Sequence, residues 1–144
     1  MEGKTINSKK LNGTSCKLAP TGIYSKHLTN RLLICGTCLL SEWSEIVETL
    51  NKDRTLLTVC PEAVHLNTVI EKIASMLAKG EMEEIVVLTK DGSPHCIGLH
   101  YAVEWAVKMT KSDNVVVQYY VIEHGTLHKI DNKKIRKTMI LDKS

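Results

Sequence analysis

Three times between residues 31 and 109 a short apolar run gives way to a helical period, and this alternation restricts the chain more than any other feature. Arg31-Leu32-Leu33-Ile34-Cys35 is followed by Leu39, Trp43, Ile46, Val47 and Leu50 at helical spacing. Residues 55–60 form a second strand run, after which Leu66, Val69, Ile70, Ile73 and Leu77 mark one helical face that Gly80 can stop. Glu84-Ile85-Val86-Val87-Leu88-Thr89 is the third, and residues 97–109 after it are so broadly apolar that a well-buried helix is expected, with Trp105, like Trp43, in the core. Consecutive strand-helix units imply right-handed crossovers. The expected fold class is therefore α/β, a small, mainly parallel sheet with covering helices. A fourth run at 115–122, then His124-Gly125 and residues 126–130, predicts a C-terminal β-hairpin.

The flanks differ in character from this core. Residues 1–30 are rich in Lys, Asn, Ser, Thr and Gly without a sustained period, and are expected to be a basic, flexible arm. Residues 131–144 are a second basic stretch, leaving 31–130 as a single α/β domain. Residues 1–31 carry six Lys or Arg against one acid and 124–144 six against two, whereas 32–123 carry seven against thirteen. That division argues against a nucleic-acid reader, whose positive charge lies across the folded face that docks. No apolar run approaches the length of a membrane span, and no apolar segment follows the first lysines as in a secretory signal. A cytoplasmic protein with no membrane partner is expected, its five cysteines held as thiols or ligands rather than as a disulfide framework.

Each strand run ends on or near a cysteine. Cys35 and Cys38 follow the first, Cys60 closes the second and Cys96 follows the third, while Cys16 lies in the arm. In an open parallel sheet the carboxyl ends of the strands share one edge, where ligands bind. Cys35, Cys38, Cys60 and Cys96 are therefore the expected ligands of one metal site, an iron–sulfur cluster or, alternatively, zinc. Cys35-Gly36-Thr37-Cys38 has the C-x-x-C spacing that turns two thiolates toward one centre, with Gly36 permitting the turn. The same dithiol also suits a thiol oxidoreductase or persulfide-handling enzyme, with Cys35 as nucleophile, Cys38 resolving and Cys96 as a second thiol. Semi-buried thiols at a strand-helix turn are the plainer reading of these residues.

Cys60-Pro61-Glu62 reads as the start of the second helix, with Pro61 at its first position. His65 adjoins that helix and is a possible substitute ligand, although packing or solvent exposure is the better expectation for a lone histidine. Asp91-Gly92-Ser93-Pro94-His95-Cys96 places Ser93 as an N-cap and Pro94 at the first helical position. His95 and His100 can support or replace a sulfur ligand, and His100 follows Cys96 by one helical turn. Gly92 and Ser93 at a helix start equally suit an anion, so an anion- or nucleotide-binding module is a third reading. No G-x-G-x-x-G, Walker lysine loop, H-E-x-x-H or G-x-S-x-G occurs.

The order strand-CGTC, strand-VCPEAV, strand-LTKDGSPHCIGLHYAVE, then YYVIEHGTLHKI resembles a group of small prokaryotic proteins labelled ferredoxin-like or iron–sulfur proteins. More distantly it is similar to the delta subunit of viologen-reducing hydrogenases. The resemblance covers about residues 31–130 and departs in sulfur spacing, since no C-x-x-C-x-x-C run is present. It implies electron transfer with a redox partner inside a larger complex.

Overall fold

A computed structural model describes residues 15–17, 28–60, 65–90 and 94–130, with the backbone alone at 15–17 and 94–97. The strands are β1 (Ser15–Lys17), β2 (Arg31–Gly36), β3 (Thr55–Val59), β4 (Glu84–Lys90), β5 (Val116–Glu123) and β6 (Thr126–Ile130). The helices are α1 (Leu39–Glu42), α2 (Ser44–Leu50), α3 (Leu66–Ala78) and α4 (Pro94–Thr110). They build a six-stranded sheet in the order β1-β3-β2-β4-β5-β6, parallel except for the β5–β6 hairpin. The expected α/β sheet and terminal hairpin are both present.

Side-chain alternation divides the interior into two layers. Leu33, Cys35, Leu56, Val86 and Leu88 face α1 and α2, meeting Leu39 and Val47. Leu32, Ile34, Leu57, Val59, Ile85 and Val87 face α3 and α4, meeting Val69, Ile73, Leu99 and Val103. Because helices cover both faces, β2, β3 and β4 are buried along nearly their whole length. That is why their sequences run continuously apolar instead of alternating. Each fully buried Leu, Ile or Val in these layers contributes about 1.5–3 kcal/mol.

Four expectations need correction. Ser15–Lys17 is not part of a free arm, because it pairs in parallel with Leu56, Leu57 and Thr58 as an edge strand. The helix after β2 is two helices, since Trp43 leaves helical geometry (φ −136°, ψ 42°) and lays its ring within 3.5 Å of the Cβ direction of Gly125. The helix after β3 starts at Leu66 with His65 at its N-cap, five residues beyond Pro61. Trp105 is 41% exposed rather than in the core, and Met109 is exposed beside it, so α4 buries one face, Leu99, Ala102, Val103 and Ala106, and leaves apolar side chains outside.

The hairpin turn uses two left-handed residues, His124 (φ 51°) and Gly125 (φ 78°). Positive φ at both central positions is the two-residue turn that matches the twist of antiparallel strands, and Gly adopts it without a Cβ penalty. Among the described residues no helix is long and apolar enough to cross a membrane.

Candidate functional site at the carboxyl edge

The strand order fixes where a ligand can enter. From β2 the chain moves outward to β3, then crosses back over β2 to β4 and continues the other way to β5. The reversal opens a crevice between β2 and β4 at their carboxyl ends, the switch point at which open α/β sheets bind ligands. Its walls are the turn at Gly36, Thr37 and Cys38, the end of β4 at Lys90, and the start of α4. The Thr37 N–H donates to the Val59 carbonyl at 3.0 Å, which ties the turn to β3.

Charges of both signs gather at this edge. α4 is seventeen residues long and begins here with no acidic residue in its first turn. The positive end of its dipole is thus not offset by a carboxylate within that turn, and Asp91, Gly92 and Ser93 before it lie outside the described residues. Lys90 adds an ammonium that donates to both Glu42 carboxylate oxygens, at 2.9 and 3.3 Å. The pair is half-exposed on both sides, so an incoming anion can compete for the lysine. A cleft of about 450 Å³ continues along the same edge between the α1–α2 junction and Gly125, lined by Ser41, Glu42, Trp43 and Glu45. A second cleft of about 460 Å³ lies at the amino edge among Leu28, Asn30, Met76, Lys79 and Met82, away from the switch point.

The cysteines divide between environments. Cys35 is fully buried in the α1/α2 layer, and burial, with Cys38 nearby as the smaller cause, pushes its thiol up to about 12. Cys38 is exposed at the N-cap of α1, and its Sγ lies 3.8 Å from where a Cβ on Gly36 would sit. Gly36 alternates with Cys35, so that direction belongs to the α3/α4 side of the strand. Cys60 is half-buried just past β3. Cys35, Cys38 and Cys60 are thiols and not disulfides. Cys96 lies in α4, which covers the sheet face opposite Cys35, and its side chain and that of His95 lie outside the described residues, as do Gly92 and Ser93. Among the described residues no group of three His, Cys, Asp or Glu side chains is placed to hold a metal ion. Gly36 does not adopt a positive φ, so the turn does not demand glycine there; what glycine leaves is space.

His65 is exposed at the start of α3. His100, by contrast, is inside: its Nε2 shares a 2.5 Å hydrogen bond with Thr89 Oγ1, and its ring lies 5.2 Å from that of Tyr119. Burial holds its pKa down at about 4, so the ring is neutral. Tyr119 in turn donates to Glu104 at 2.5 Å. Lys90 and Thr89 stand at a strand end beside the expected anion site, but nothing in the sequence singles them out from other strand residues.

This architecture defines a doubly wound α/β domain with its crevice at the reversal of strand order. The chain belongs to a family described as a Rossmann-like domain, whose family model matches residues 27–144. No curated protein and no solved structure matches it.

Proposed function

We propose that this domain binds a small phosphate- or carboxylate-bearing metabolite in the crevice between β2 and β4. The observation that carries the reading is the coincidence, at one switch point, of the start of α4, with no acidic residue in its first turn, and the Lys90 ammonium. The N–H groups of the first α4 turn bind the charged head and Lys90 neutralises it. The glycine fingerprint of dinucleotide sites is lacking: Gly36-Thr37-Cys38-Leu39-Leu40 stands where G-x-G-x-x-G would begin, so the ligand need not carry a pyrophosphate bridge.

The cysteine readings have less support. A four-sulfur site needs the layer of Leu39 and Val47 to open around the fully buried Cys35. Sulfur ligands of one zinc or iron centre bond it at about 2.3 Å, so a sealed Cys35 thiol cannot serve as one without that opening. Thiol exchange led by Cys35 needs a lowered thiol pKa, the reverse of what burial imposes.

Calorimetric titration with inorganic phosphate and with AMP tests the binding reading, because two substitutions move it in opposite directions. Lys90→Met removes the cation and is expected to weaken the phosphate group's binding by about tenfold. Glu42→Gln removes a carboxylate that competes for the lysine, so it is expected to tighten binding. Affinities unchanged in both variants count against this site.

A further inference from the structure

Two of the described thiols at the carboxyl edge are within reach of solvent. Cys38 is exposed and Cys60 half-buried, whereas Cys35 is sealed in the α1/α2 layer. The backbones that carry these two run side by side. Gly36 and Val59 are register partners in the parallel β2–β3 ladder, whose strands stand about 4.8 Å apart. One step further along β2, the Thr37 N–H donates to the Val59 carbonyl at 3.0 Å. Cys38 follows Thr37 and Cys60 follows Val59, so this bond joins the residue before one cysteine to the residue before the other.

The Cys38 side chain turns back toward the end of its own strand. Its Sγ lies 3.8 Å from the point where a Cβ on Gly36 would sit, and the Val59 carbonyl oxygen lies 4.0 Å from the same point. The sulfur and the peptide bond that leads into Cys60 therefore border one spot. Both cysteines lie past the last residues of their strands, so the alternation that sends Cys35 into the core does not fix the side to which they turn. A disulfide asks for Cα atoms about 4.4–6.8 Å apart, and the spacing of adjacent strands falls in that range.

We propose that Cys38 and Cys60 form a redox pair, a modification site that a small-molecule disulfide converts into a bridge between the β2–α1 turn and the end of β3. The more exposed Cys38 reacts first: its thiolate attacks one sulfur of the small disulfide, whose S–S bond breaks and releases one thiolate with the bonding electron pair. Cys60 then gives up its proton, and its thiolate attacks Cys38 Sγ and expels the second small thiolate. Two protein thiols are oxidised to one disulfide, one small disulfide is reduced to two thiols, and the departing thiolates take up the two protons. The pairing stands apart from the anion-binding reading and does not depend on it.

The experiment incubates protein purified without air with glutathione disulfide, quenches in acid, alkylates the remaining thiols after unfolding and digests with trypsin without reduction. Mass spectrometry is expected to find residues 32–52 joined to residues 55–72, with the alkyl label on Cys35, and dithiothreitol is expected to separate them again. Cys38→Ser loses the bridge, and Cys60→Ser stops at a glutathione adduct on Cys38. The bridge is read in the wild-type chain, so a variant that does not fold leaves the test intact. Cys38 joined instead to Cys16, Cys35 or Cys96, a bridge between two chains, a lasting glutathione adduct on wild-type Cys38, or no oxidation of Cys38 at all overturns the inference.

Discussion

Cys35 and Cys38, three residues apart, occupy opposite environments: Cys35 is sealed beneath Leu39 and Val47, and Cys38 is exposed at the N-cap of α1. Strand geometry causes the split, since Cys35 is the last inward-facing residue of β2 on the α1/α2 side and Cys38 lies past the turn. Mild alkylation of the native protein near neutral pH should therefore label Cys38 first, Cys60 more slowly and Cys35 only on unfolding. Mass spectrometry of peptides taken over time reads the order, and early labelling of Cys35 would contradict its burial.

Metal content gives a second expectation. Protein purified without air should carry neither iron with acid-labile sulfide nor zinc at one equivalent per chain. Stoichiometric iron would restore the cysteine-cluster reading and would require the α1/α2 layer to open around Cys35.

Acid should destabilise the fold through His100. Its folded pKa, about 4, lies below the unfolded value of 6.5, so the unfolded chain binds more protons between those limits. The stabilisation is complete above about pH 6.5 and is lost as pH falls toward 4, amounting to about 3 kcal/mol over that window. Urea melts at a series of pH values should show this slope in the wild type and a flatter one in His100→Phe.

Glu84 acts in a lower window. One carboxylate oxygen accepts from Arg54 at 2.7 Å and from Arg31 at 3.2 Å, and the Arg54 hydrogen bond above all holds its pKa below the usual 4.5 against the opposing effect of burial. Its contribution is present above pH 4.5 and is lost as pH falls through the lower folded pKa. Glu84→Gln leaves the mostly buried Arg54 without its ion partner and should cost about 1–3 kcal/mol in denaturant melts at neutral pH.

The hairpin turn and Trp43 are coupled. Gly125 sits at φ 78° with the Trp43 ring where a Cβ would point, at 3.5 Å. Gly125→Ala should lower stability by about 1 kcal/mol or more and change Trp43 fluorescence, whereas Gly80→Ala, also at positive φ but in open space, should leave the fluorescence alone.

Much of the fold was legible because its causes are local. Buried parallel strands must be continuously apolar, so residues 32–35, 56–59 and 85–88 announced themselves, and His124-Gly125 carried its turn in its own chemistry. The break at Trp43 was not legible, since no Gly or Pro marks it and the contact it makes is with a residue 82 positions away. Ser15–Lys17 was missed for a similar reason: a three-residue edge strand is defined by its partner β3, not by a period.

The sequence implied that the strand ends gather at one edge, which the parallel order bears out, but it weighted cysteines by their position along the chain. Which face a strand residue takes depends on the register with its neighbours, and that parity sends Cys35 into the α1/α2 core. Lys90 and Thr89 gain meaning only from what lies across from them, Glu42 in one case and His100 in the other.

The central claim is tested most directly by mapping backbone amide shifts during a titration of the metal-free wild-type protein with inorganic phosphate. The account predicts saturable shifts concentrated at Thr37, Cys38, Lys90 and the first turn of α4. Shifts that fail to saturate, or that gather instead at Leu28, Asn30 and Met82 around the amino-edge cleft, would contradict it.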